Sequence, residues 1–145
     1  MAMRVSITTD YGLRAMMDLA RRYGQGTVPS ADIAARQGIP GAYLDQVLST
    51  LRKAGFVRGV RGPQGGHALT RPPGQITLGE VLAALEGATA PMECVGEPGS
   101  CHQAASCTLR ETWQRVDEAV QEILSSITIE GLVQRQLVRR EMYYI

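Results

Sequence analysis

No run of eighteen consecutive apolar residues occurs in the sequence, so no segment is expected to span a membrane. The opening MAMRVSITTD lacks an apolar stretch of signal-peptide length, which points to a soluble cytoplasmic protein with no membrane partner. No Ser/His/Asp set, phosphate-binding loop or paired-carboxylate motif stands out, so an enzyme is not expected. GPQGG comes nearest to an anion-binding loop, but it sits between two short strand patterns rather than between a strand and a helix. The cysteines include no C-x2–4-C pair, the tight knuckle common in structural zinc sites. What the 145 residues do contain is 44% hydrophobic side chains, enough for one compact core and too many for a disordered chain.

Charge is unevenly spread. Residues 1–71 hold nine Arg and Lys53 against four Asp, a net +6, whereas residues 72–145 hold five Arg against ten acids, a net −5. The first part is suited to lie near a polyanion and the second is not. Within it, Leu13, Met16, Met17 and Ala20 recur at helical spacing, with Thr8, Thr9 or Asp10 available as N-cap. After the GQGTVP turn, Ser30 is placed to cap a short helix, ADIAARQ, which stops at Gly38. A second amphipathic helix follows, with Tyr43, Leu44, Val47, Leu48 and Leu51 on one face, Arg52 and Lys53 in the last turn, and Gly55 as its stop. Two short helices joined by a tight turn suggest helix-turn-helix.

FVRGVR and HALTR then read as two strands joined by the breaker-rich GPQGG. A helix-turn-helix followed directly by a basic hairpin is the winged-helix arrangement, in which a helix enters the major groove of double-stranded DNA and the hairpin reaches its flank. Gly62, Gly65 and Gly66 allow the wing tip a close approach, and Arg58 and Arg61 supply charge at its base. PPGQ is a linker, and ITLGEVLAALEG is another short helix. Further on, Leu109, Trp113, Val116, Val120, Ile123 and Ile127 are spaced 4, 3, 4, 3, 4, a heptad seam that predicts a dimerisation helix. The tail TIEGLVQRQLVRREMYYI reads as partly helical. The expected fold is therefore mainly α with a small β-hairpin: a winged-helix DNA-binding domain (1–75), a connecting helix and cysteine loop (76–107), and a dimerisation helix with tail (108–145).

All three cysteines, Cys94, Cys101 and Cys107, fall in one fourteen-residue stretch spaced C-x6-C-x5-C. In a cytosolic protein a lasting disulfide is disfavoured, and an odd count leaves one thiol over. Clustered thiolates are soft ligands for zinc or an iron–sulfur cluster, and the long spans suit a polynuclear cluster. A zinc site or a metal-free thiol switch is the alternative. Three thiolates leave a position for a more easily displaced ligand, for which His102, Glu93, Glu97 and the sequence-distant Asp10 are candidates.

Taken together, TTDYGLRAMMDLA, IPGAYLDQVLSTLRKAGFVRGVRGPQGGHALTR, ITLGEVLAALEG, the three-cysteine loop and the long helix, in that order, resemble the IscR/NsrR family of iron–sulfur winged-helix regulators over essentially the whole chain. The resemblance implies a homodimer on a palindromic operator, with Pro40, Ala42, Tyr43, Asp45 and Gln46 near the major groove and Arg61, Gly62, Pro63, Gln64, Gly65 and Gly66 at the minor groove. It also implies an iron–sulfur cluster at the dimer interface, 2Fe–2S in preference to 4Fe–4S, that controls DNA affinity. Pro40 and Ala42 stand where relatives often have serines, and the first cysteine gap is one residue longer than the commonest spacing. Arg110 stands where one branch carries a histidine. Asp10 matches the N-terminal carboxylate that serves another branch as a cross-subunit cluster ligand.

Overall fold

The structure, a computed structural model, describes residues 4–87, 95, 99 and 106–143. It bears out a mainly helical fold with one small hairpin. In chain order the elements are α1 (Ile7–Arg21), α2 (Ser30–Gln37), α3 (Gly41–Lys53), β1 (Val57–Val60), β2 (Gly66–Leu69), a 3-10 turn at Pro73–Gln75, α4 (Leu78–Glu86), α5 (Thr108–Ser126) and α6 (Ile129–Tyr143).

Two helix starts differ from the sequence reading. α1 begins one turn earlier than expected: Ser6 is its N-cap, its hydroxyl accepting from Thr9 N at 3.2 Å, so Thr8, Thr9 and Asp10 lie inside the helix. Ser30 is the first residue of α2 rather than its cap, because Pro29 occupies the N-cap position without any side-chain hydrogen bond. The far end of α2 is as expected, with Gly38 left-handed at φ 64°.

Met16 and Leu19 of α1, Ile33 of α2, and Leu44, Val47, Leu48 and Leu51 of α3 form the centre of the core. Phe56, Val57 and Leu69 seat the base of the hairpin on it. Gly12 lets α1 come close to α3 and α4: a side chain there would begin within 3.2 Å of Val47 Cγ1 and nearer still to Leu85. Arg71 lies over the Phe56 ring at 5.5 Å and bonds Glu80 Oε2 at 2.9 Å, joining the strand exit to α4. Thr77 and Glu80 complete a reciprocal capping box at the start of α4.

A charged knot ties α1 to α2. Asp18 is 1% exposed and accepts from Arg36 Nη2 at 2.8 Å, Arg36 Nε at 3.0 Å, Gln37 Nε2 at 3.0 Å and Arg22 Nη1 at 3.4 Å. Burial pushes this carboxyl up, but the hydrogen bonds from Arg36 and Gln37 and the charges of Arg36 and Arg22 outweigh it and hold Asp18 below its ordinary value.

The C-terminal helix returns to the beginning of the chain. Ile129 and Val133 of α6 are buried, and α6 packs along α1. Backbone bonds fasten the α5–α6 junction to the linker after the wing, from Leu78 N to Ile127 O at 2.8 Å and from Ile129 N to Ile76 O at 2.9 Å. Among the described residues, no helix is long and apolar enough to cross a membrane.

Candidate nucleic-acid interface and cluster site

The amphipathic pattern of α3 decides which residues remain outside. Once Leu44, Val47, Leu48 and Leu51 are buried, Ala42, Tyr43, Asp45 and Gln46 are left exposed on the first two turns, with Pro40 just before them. Tyr43, 53% exposed, stands with its ring centroid 6.4 Å from that of Tyr11 in a tilted pair, so α1 steadies this end of α3.

The hairpin pairs antiparallel in the register Val57↔Leu69, Arg58↔Ala68, Gly59↔His67 and Val60↔Gly66. Alternation sends Val57 inward and leaves Arg58 outside. The tip is built from Gly62, Pro63, Gln64 and Gly65, closed by a bond from Gly65 N to Gly62 O at 2.9 Å, with proline at the position that favours its fixed φ. Gly62 has φ +114°, open to glycine and strained for other residues. Arg61, Gly62, Pro63 and Gln64 are all exposed.

A third piece of backbone braces the wing, which the sequence reading missed. Val28, after α1, exchanges two hydrogen bonds with His67, each 2.8 Å. Thr27 Oγ1 donates to Gln64 O at 3.0 Å. Gly66 runs so close to Val28 that a side chain would collide with its carbonyl and with Pro29 N. The only sequence signal for this bridge was Thr27-Val28, a β-favouring pair at the end of a stretch otherwise read as a turn.

Between α2, the end of α3 and the wing lies an open groove of about 620 Å³ lined in part by Ser30, Arg52, Arg61 and His67. Arg52 lies across Gly59, where its Nη1 is 3.4 Å from the point at which a side chain would begin. His67 Nδ1 is buried without a hydrogen-bond partner among the described residues. Burial first, and then the Arg52 charge, hold His67 below its ordinary pKa against the opposing pull of Asp45. Ser30, Arg52 and His67 were not anticipated as part of this surface, because the three come together only when the wing folds back.

Of the expected cluster ligands, Cys94 and Cys101 lie outside the described residues, as do Glu93, Glu97 and His102. Cys107 is half-buried with a free thiol and is the N-cap residue of α5, its carbonyl accepting from Glu111 N at 3.2 Å. A thiol at a helix N-terminus is a suitable donor for an anionic thiolate-held cluster, because the helix dipole favours negative charge there. Asp10 lies in the first turn of α1, partly exposed, with Oδ2 3.0 Å from Arg14 Nε. Among the described residues no three His, Cys, Asp or Glu side chains gather closely enough to hold a metal ion.

A recognition helix with its core face buried, a basic hairpin braced beside it and a basic groove between them define a winged-helix DNA-binding protein. Comparison with known proteins agrees: residues 5–135 match the Rrf2 family, iron-dependent transcriptional regulators, and the chain belongs to that family. It is 40% identical over 136 residues to the HTH-type transcriptional regulator IscR of Xenorhabdus nematophila, covering 94% of this chain and 82% of the relative. The IscR of Cronobacter sakazakii is 39% identical over 136 residues, 94% of this chain and 83% of that protein. Among solved structures, CymR (YrzC), the global cysteine regulator of B. subtilis, superposes with a TM-score of 0.77 at 35% identity, covering 92% of this chain and 98% of that one. T. potens IscR gives 0.74 at 34% identity, over 92% and 88%. The protein is a DNA-binding transcription regulator, not an enzyme.

Proposed function

We propose that the protein is a homodimeric regulator whose affinity for a palindromic operator is set by an iron–sulfur cluster held by Cys94, Cys101 and Cys107. One observation carries this reading: Cys107 is the N-cap of a 19-residue helix that has no fully buried residue. Leu109, Val116 and Ile123 on the expected seam are 66%, 42% and 59% exposed while Trp113, Val120 and Ile127 are half-buried, so within one chain the apolar stripe of α5 is only partly covered. A thiolate ligand at the root of a helix that needs a partner links cluster state to the geometry of the dimer.

In this scheme residues 1–75 read DNA, 76–107 carry the ligands and 108–145 hold the dimer, with α6 tying the last part back to α1. Pro40, Ala42, Tyr43, Asp45 and Gln46 face the major groove, while Arg58, Arg61, Gly62, Pro63, Gln64, Gly65 and Gly66 form the wing contact. Arg52 and Ser30 take a phosphate beside it. Asp10 of the partner subunit is the fourth ligand, exchanging Arg14 for iron. The cluster is 2Fe–2S, and the protein works in the cytoplasm.

The test is anaerobic purification with iron and sulfide analysis, visible spectroscopy, and binding to its own promoter fragment in cluster-loaded and cluster-free forms. Wild-type protein is expected to be brown and to change promoter affinity on cluster loss, and Cys107→Ser to be colourless. A colourless wild-type protein carrying zinc or no metal would overturn the cluster reading.

A further inference from the structure

A second cationic surface lies away from the reading face. Arg14 and Arg21, two turns apart on α1, face Arg135, Arg139 and Arg140 of α6 across an open groove of about 730 Å³, with Arg36 of α2 contributing at one side. This groove shares no lining residue with the groove beside the wing. The carboxylates that line it are Asp10 and Asp18, and both are already engaged, Asp10 by Arg14 and Asp18 chiefly by Arg36. Among the described residues Arg21, Arg135, Arg139 and Arg140 have no carboxylate partner, and all four are exposed.

The placement needs an explanation. The part of the chain after residue 71 is acidic overall and has five arginines, yet three of them stand on α6 and line this one groove. Because α6 packs along α1, folding itself brings like charges onto neighbouring walls. Such an arrangement is unfavourable while empty and becomes favourable when a multivalent anion lies between the walls. Guanidinium forks from two helices match tetrahedral oxyanions in particular, since each offers two parallel donors to a pair of phosphate oxygens. The volume also falls in the range of about 300–1,000 Å³ typical of small-ligand sites.

We propose that this groove is a binding site for phosphoryl groups, separate from the operator-reading surface. Two sources share that chemistry: a free phosphorylated small molecule, and the backbone of DNA beyond the operator contacts.

The experiment uses the full-length protein, with inorganic pyrophosphate as the small-molecule probe in calorimetry and a 40-base-pair duplex of arbitrary sequence in an anisotropy salt series. Variants are the pairs Arg135→Ala with Arg139→Ala and Arg135→Lys with Arg139→Lys. Both side chains are exposed, so circular dichroism is expected to be unchanged in each. If a free ligand is the source, wild-type protein binds pyrophosphate, the alanine pair weakens it at least about tenfold, the lysine pair weakens it less because it keeps the charge but not the paired donors, and the DNA salt slope stays the same. If the DNA backbone is the source, the alanine pair lowers the slope of log K against log salt by about two and the lysine pair does not. The proposal is overturned if the alanine pair changes neither pyrophosphate affinity nor salt slope, which includes the case in which wild-type protein ignores pyrophosphate.

Discussion

Replacing Ile123 by glutamate tests the proposed dimer at its most informative position. Full burial of an aliphatic side chain is worth about 1.5–3 kcal/mol. Scaled by the exposed fractions of Leu109, Val116 and Ile123 (66%, 42% and 59%), covering these three yields roughly 4 kcal/mol per protomer and about twice that for a two-fold pair. Ile123→Glu removes its share twice and sets two carboxylates into the seam, where an unpaired charge costs several kcal/mol. A net loss of at least about 4 kcal/mol raises the dissociation constant roughly a thousandfold. Because Ile123 is more than half exposed within one chain, the protomer fold should survive. Sedimentation equilibrium over a wide concentration range should therefore show a wild-type dimer and a monomeric variant with the same far-ultraviolet circular dichroism at 20 °C. A variant dimer within tenfold of wild-type affinity would refute the assignment of α5 as the interface.

Three further outcomes are expected. Arg61→Ala should weaken promoter binding and lower its salt slope by about one while leaving the melting temperature nearly unchanged, as measured by anisotropy and calorimetry, since Arg61 is exposed at the wing. Asp18→Ala should destabilise the chain by about 3 kcal/mol, or about 10 °C in melting temperature, because it removes the buried acceptor of Arg36, Gln37 and Arg22. The native carboxyl of Asp18 titrates below its unfolded value of about 3.9, so that stabilisation is complete above about pH 4 and lost as pH falls through the lowered native value. The stability gap between wild type and variant, followed by urea titration at several pH values, should narrow only there. The depressed His67 works in a higher window: the unfolded chain takes up the proton first, so stability falls as pH drops below about 6.5, and His67→Gln should flatten that slope between pH 7 and pH 5. An unchanged slope would remove His67 as its source.

Much of the architecture could be read from spacing alone. The apolar face of α3, the breaker-rich hairpin and the 4, 3, 4, 3, 4 seam each announce their element, because one face of each must find cover while the other stays polar. Ser6 was missed as the α1 cap because four residues, Ser6, Thr8, Thr9 and Asp10, offer nearly equivalent cap chemistry, and the Glu86 carboxylate, accepting from Ser6 N at 2.7 Å, helps to fix which one serves. Nothing in the sequence around Asp18 marks it out within α1. Its burial depends on Arg36 and Gln37 arriving from a second helix, and nothing local signals that pairing. The wing groove was hidden for the same reason, since Ser30, Arg52 and His67 are far apart along the chain. α6 lacks a sharp apolar stripe, so its return to α1 could not be foreseen from its own residues.

That return has a consequence for how the protein is made. α1 leaves the ribosome more than a hundred residues before Ile129 and Val133, which help to bury its surroundings. At bacterial-scale elongation of roughly 5–20 residues per second, the interval between completion of the wing and delivery of α6 is about 4 to 15 s. Throughout that time the apolar flank that Ile129 and Val133 cover in the finished fold is bare. A chain released at the end of the wing would lack Ile129 and Val133 and would leave bare the apolar surface they cover beside α1.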